Sequence, residues 1–116
     1  MGGNMKITRA VAEHYFWKDV CDGWHFIKRD DLSVIAEKMP PATAEDMHYH
    51  QQSRQFFYIL AGEASMVLNG EAIRLQAGEG IEVNPPEPHQ MRNDSENAVE
   101  FIVISTPKAH GDRVTI

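Results

Sequence analysis

Short apolar runs separated by turn-forming residues recur along the chain, and none repeats apolar residues at i, i+3, i+4 and i+7 over a helical length. The pattern therefore predicts strands. Residues 24–29 are aromatic and β-branched and close at Asp30-Asp31; residues 32–39 follow and stop at Pro40-Pro41. Residues 56–60 end at Ala61-Gly62. Residues 64–68 then run into Asn69-Gly70, a dipeptide suited to the left-handed backbone of a two-residue hairpin, with 72–75 as the returning strand. Residues 81–83 lie between Gly78/Gly80 and Pro85-Pro86, and 99–105 form the last apolar stretch. A helical turn is expected over 12–20, and 106–116 read as a polar tail. Breakers about every 8–12 residues with short β-rich segments between them specify an all-β domain, a sandwich or barrel. No repeat, linker or low-complexity tract interrupts it. A single domain over 1–116 is expected, with the barrel core at 32–105 and residues 1–5 outside it, because Met5 offers a second start.

Composition narrows this picture. The chain has 116 residues, 42% of them hydrophobic and 24% charged, a globular balance. A domain of this size buries roughly two-thirds of its unfolded surface, so a bound metal or a dimer interface would add usefully to a modest core. Lys and Arg total 11 against 17 Asp and Glu, a net charge of −6. No Lys/Arg run exceeds two residues, which excludes nucleic acid and anionic membrane as expected partners. No apolar stretch approaches the ~20 residues that span a bilayer, and residues 1–6 lack the apolar centre of a signal peptide. Cys21 is the sole cysteine, which excludes an internal disulfide and suits a reducing cytoplasm. Its acidic neighbour Asp22 opposes thiolate formation.

The candidate chemistry lies in two places. In Met47-His48-Tyr49-His50-Gln51-Gln52-Ser53-Arg54-Gln55, an extended backbone projects His48 and His50 to the same side. An inward Gln55 puts Phe57 and Ile59 on the same inner face. The second place is Pro88-His89-Gln90-Met91-Arg92-Asn93. A His-x-His pair alone marks either a metal site or two hydrogen-bonded histidines.

The arrangement around it resembles the cupin superfamily. That family's first motif runs Gly, five residues, His-x-His, three or four residues, Glu, six residues, Gly; here His48, His50 and Gly62 stand in register, with Gln55 at the Glu position and Ala42 at the first Gly position. Its second motif runs Gly, five residues, Pro-x-Gly, two residues, His, three residues, Asn. Gly78, His89 and Asn93 match it, whereas Asn84 and Pro86 replace the usual Pro and Gly. The resemblance implies a double-stranded β-helix (jelly-roll) barrel holding one divalent transition metal, Fe, Mn, Ni, Zn or Cu, on His48, His50, Gln55 and His89, with positions left open for a small-molecule substrate. It also implies a metal-dependent isomerase, lyase or oxygenase, or else a non-catalytic binding module, in either case expected as a homodimer. A neutral Gln55 leaves the ion a formal charge of +2 where Glu would leave +1, which favours anionic or enolisable ligands such as sugar acids and 2-oxo acids. The alternative is that Gln55 only hydrogen-bonds across the barrel.

Small cupins of uronate breakdown, which also carry Gln at the Glu position, have an acid on the last inward strand. Here Ile102 aligns with it, and Glu100, two residues away on the same face, is the candidate acid–base residue. Phe57, Met91 and Asn93 are assigned to the substrate pocket; Met66 reads as core. His14, His25 and His110 have no partner at ligand spacing and read as surface histidines, while Trp17 and Trp24 either cover the barrel mouth or pack at an interface. Gly111-Asp112-Arg113 resembles the endings of small bacterial cupins.

Overall fold

The computed structural model describes residues 5–116, so the residues before Met5 lie outside it. Two antiparallel sheets face each other as a double-stranded β-helix, and no described helix is long and apolar enough to cross a membrane. The strands are β1 (Glu13–Trp17), β2 (Cys21–Lys28), β3 (Ser33–Met39), β4 (Thr43–Ala44), β5 (His48–His50), β6 (Arg54–Ala61), β7 (Glu63–Leu68), β8 (Glu71–Gln76), β9 (Gly80–Val83), β10 (His89–Asn93), β11 (Val99–Thr106) and β12 (Arg113–Thr115). One sheet runs β1-β2-β3-β11-β6-β9 and the other β12-β5-β10-β7-β8, with β4 also paired to β10.

Alternation decides which residues meet between the sheets. In β6, Gln55, Phe57 and Ile59 are buried while Phe56, Tyr58 and Leu60 are exposed, the inner face expected from the sequence. Met39, Ile59, Met66, Met91, Val99 and Phe101 fill the core together with Cys21, whose thiol burial pushes up in pKa. The hairpin at Asn69-Gly70 forms between β7 and β8 with φ values of 52° and 81°.

The first-motif glycine positions also acquire a physical reason. Gly62 turns β6 into β7 at φ +78°, and a Cβ there would lie 2.4 Å from the Ala98 carbonyl oxygen. Ala42, at the other such position, holds φ 63° without being glycine, a left-handed conformation that costs a non-glycine residue about 1–2 kcal/mol.

Two expectations are corrected. The 12–20 segment is not a helical turn: β1 pairs with β2 as a hairpin, with Tyr15 and Trp17 directed inward in a period of two and Glu13 on the same side at the exposed rim. The 106–116 segment is not merely a tail, because β12 pairs Arg113 with His50 and Thr115 with His48. Its three polar-edged residues carry no hydrophobic signal; backbone pairing and the Asp112 carboxylate recruit them. The sheets therefore extend past 32–105 at both ends.

Candidate metal centre

β5 sets His48 and His50 on one buried face, and β10 places His89 directly opposite His48. The ring centroids lie 4.3 Å (His48–His89), 5.0 Å (His48–His50) and 5.6 Å (His50–His89) apart, and one nitrogen from each ring falls within 4.8 Å of the others. The backbone selects the tautomers. His48 Nδ1–H donates to the Asp46 carbonyl at 2.7 Å and His89 Nδ1–H to the Glu87 carbonyl at 3.0 Å, which leaves both Nε2 lone pairs free. Burial pushes His48 down to about 3 and lowers His50 and His89 as well, so at neutral pH all three rings are uncharged, the form that binds metals.

Gln55 is half engaged. Its Nε2 donates to Ser105 Oγ at 3.0 Å, while Oε1 is buried without a partner. His50 Nδ1 and His89 Nε2 are likewise buried and unpartnered. Buried polar atoms are nearly always paired; the clustered nitrogens of His48, His50 and His89, with the unpartnered Gln55 Oε1 on the inner face of β6, are the donor types that a borderline transition-metal ion takes. The hydrogen bond across the barrel is thus made by Nε2 alone, and Oε1 is left without a partner.

The site opens into a cavity of ≈ 870 Å³. Tyr15, Trp17, Ile35, Phe57 and Val103 form an apolar wall, and Glu37, Glu45 and Arg113 face the same space. Burial pushes Glu45 up to about 7 and Glu37 up to about 8. Sequence reasoning missed Tyr15, Glu37, Glu45 and Arg113. For Glu37 a signal was present, since it lies between Ile35 and Met39 on the inward period of β3. His25, half-buried, also lines this cavity, and His110 stands exposed at its mouth.

Of the expected pocket residues, Phe57 reaches the cavity. Met91 is packed into the core at 1% exposure. Asn93 is committed to a turn: its Nδ2 donates to the Met39 and Asn97 carbonyls, each at 2.9 Å, and its Oδ1 accepts from Ser95 N and Oγ. No polar atom of Asn93 is left for a substrate. Glu100 and Ile102 are not brought to the site either. In β11 the inward residues are Val99, Phe101, Val103 and Ser105, so Glu100 lies on the outer face, ion-paired with Arg9. Trp17 reaches the cavity, whereas Trp24 lies outside it beneath the Arg9 guanidinium, 4.4 Å from its ring centre.

The Gly-Asp-Arg ending acts on the loop that follows His50. The Asp112 carboxylate accepts the N–H groups of Gln51, Gln52 and Ser53 at 3.2, 2.9 and 2.8 Å, and Arg113 pairs with His50 in β5.

The family model described as Cupin domain matches residues 36–105. An oxalate-binding protein of Thermotoga maritima is 28% identical over 67 residues, 58% of this chain and 55% of its own length. The chain spans about half the length of the curated relatives it matches. Among solved structures, a predicted oxalate decarboxylase from Thermotoga maritima superposes with a TM-score of 0.82 at 18% identity, covering 90% of this chain and 100% of that one. The polyketide cyclase RemF from Streptomyces resistomycificus superposes at 0.84 with 16% identity, covering 98% and 86%. At these identities the likeness is one of fold.

Proposed function

The chain belongs to the cupin domain family, and we propose on that premise that it is a metal-dependent enzyme acting on a small, anionic or enolisable, oxygen-rich molecule such as a sugar acid or a 2-oxo acid. The observation that carries this reading is the cluster of one nitrogen each from buried His48, His50 and His89 within 4.8 Å of one another, with unpartnered atoms on His89 and Gln55. These four residues hold one divalent transition-metal ion, Fe, Mn, Ni, Zn or Cu. When bound, such an ion supplies Lewis-acid polarisation of a chelating substrate oxygen.

The chain's own residues supply the rest. Tyr15, Trp17 and Phe57 give the substrate an apolar wall and displace water; at the mouth Lys28 and Lys108 are neutralised by Glu13 and Asp30, which leaves Arg29 and Arg113 as the cations that can meet an anionic group. Proton transfer falls to Glu37 rather than Glu100. Burial raises its carboxyl to about 8, Glu45 adds to the rise and Arg113 opposes it, so near pH 7 Glu37 carries a proton it can donate. Isomerisation or lyase chemistry is the first assignment and O₂-dependent oxygenation the second.

The second reading, a non-catalytic module binding a small ligand through the same residues, is favoured by the relative named for oxalate binding. Turnover of uronate and 2-oxo acid panels by metal-loaded protein, followed together with oxygen consumption, separates the two. Turnover supports the enzyme; tight binding without turnover supports the module. We further assign a cytoplasmic homodimer, supported by the buried lone Cys21 and by Phe56, Tyr58 and Leu60 standing 40–47% exposed in a row on the outer face of β6.

A further inference from the structure

We propose that Glu45, between β4 and β5, supplies the negative charge that Gln55 withholds from the histidine site when a cation occupies it. The inference rests on the metal reading above and concerns a residue outside the ligand set that reading names. Three neutral imidazoles and a neutral amide leave a dication uncompensated in a buried setting, where an unpaired charge is costly. Glu45 is the acidic residue whose carboxylate approaches the donors: its Oε1 lies 4.0 Å from His48 Nε2, the nitrogen left free when Nδ1 bonds the Asp46 carbonyl.

The backbone holds this carboxylate in place. Glu45 N–H donates to the Met91 carbonyl at 3.0 Å, the Glu45 carbonyl accepts from Gln90 Nε2 at 2.9 Å, and Oε2 accepts the Met91 N–H at 2.8 Å. One carboxylate oxygen is thus spent on β10, and the other faces His48. Two donors sharing one ion at ~2.0–2.2 Å lie about 3–4 Å apart, so Oε1 sits at the edge of that range from His48, while the three ring nitrogens cluster without it. Glu45 therefore acts as a charge-balancing neighbour of the site, placed beside the ligating nitrogen of His48, while the Asp46 carbonyl takes the outer role towards its Nδ1–H. Arg113, exposed across the cavity, forms no ion pair with it among the described residues.

The test is Zn²⁺ affinity, measured by chelator competition on untagged protein, for the wild type, Glu45→Gln, Gln55→Glu and the double variant. Glutamine at position 45 keeps an oxygen to accept the Met91 N–H, so the fold is retained, and thermal unfolding without metal checks it. Glu45→Gln is expected to weaken Zn²⁺ binding about 10–100-fold. Adding Gln55→Glu is expected to return it to within about threefold of the wild type, because the charge has moved rather than gone. A Glu45→Gln protein that binds Zn²⁺ as tightly as the wild type, or a double variant that fails to recover, overturns the assignment. A wild type that takes up neither Zn²⁺ nor Mn²⁺, Fe²⁺, Ni²⁺ or Cu²⁺ would overturn the metal reading and this inference with it, an outcome distinct from tight wild-type binding that Glu45→Gln leaves unchanged.

Discussion

Replacing Asp112 by Ala removes a carboxylate that holds three consecutive N–H groups in the loop after His50. Hydrogen bonds to a charged group contribute about 1.5–3 kcal/mol each when the donor is left dry. Gln51 and Gln52 are exposed and regain water, whereas Ser53 is 2% exposed and loses its partner outright. The net cost is therefore about 2 kcal/mol, the value of one charge-assisted bond. For a chain of this length that lowers Tm by about 8 °C.

The effect has a pH signature. Partial burial pushes the Asp112 carboxyl up, but the N–H groups of Ser53, Gln52 and Gln51 outweigh it and hold the pKa below the ordinary 3.8. A lowered folded-state pKa means that the stabilisation is complete above the unfolded value and is lost as pH falls through the folded one. The gap between wild type and Asp112→Ala should be full at pH 6–7 and close below about pH 3.8. Circular-dichroism melts of metal-free protein across this range measure it, and Asp112→Asn, which keeps one acceptor oxygen, should fall between the two. A Tm within about 2 °C of the wild type at pH 7, or a gap that does not change with pH, would refute the reasoning.

Gly62→Ala forces a Cβ to 2.4 Å from the Ala98 oxygen at a positive φ, and should cost about 3 kcal/mol, or roughly 12 °C in a thermal melt. Glu37→Gln should be more stable than the wild type by a margin that grows as pH rises from about 4.5 to 8: the raised folded pKa makes the native state bind more protons than the unfolded one there, so wild-type stability falls across that window. The same substitution should abolish turnover on any substrate that needs proton transfer, whereas Glu100→Gln, on the outer face, should leave turnover unchanged. Leu60→Glu should convert the dimer to monomer by light scattering, with the metal content of the protein preserved.

The sequence was readable where a turn dipeptide or a matched motif fixed the register. Taking Gln55 as inward assigned the two faces of 55–60, Asn69-Gly70 marked its hairpin, and His48, His50 and His89 met as the motif resemblance implied. Legibility failed where the chain's own polarity is uninformative. β12 is short and polar, and only pairing with β5 makes it a strand. β1 carries Glu13, at the exposed rim, on the same side as Tyr15 and Trp17, so no apolar period announced it. The register of β11 could not be fixed by composition, because Val99, Phe101 and Val103 are apolar and so are Ile102 and Ile104 on the opposite face; the acid–base assignment to Glu100 depended on that register. Asn93 looked available for a ligand because a sequence does not reveal that a side chain's donors and acceptor are already spent on the 95–97 turn.

The central claim is that His48, His50, Gln55 and His89 form a metal centre. Elemental analysis of untagged protein, as purified and after reconstitution with Mn²⁺, Fe²⁺, Ni²⁺ and Zn²⁺, tests it most directly when run beside His48→Ala and His89→Ala. The account predicts about one transition-metal ion per chain in the wild type and loss of most of it in either variant, with both variants still folded. A wild type that stays free of stoichiometric metal under every condition, or histidine variants that retain it fully, would contradict the account.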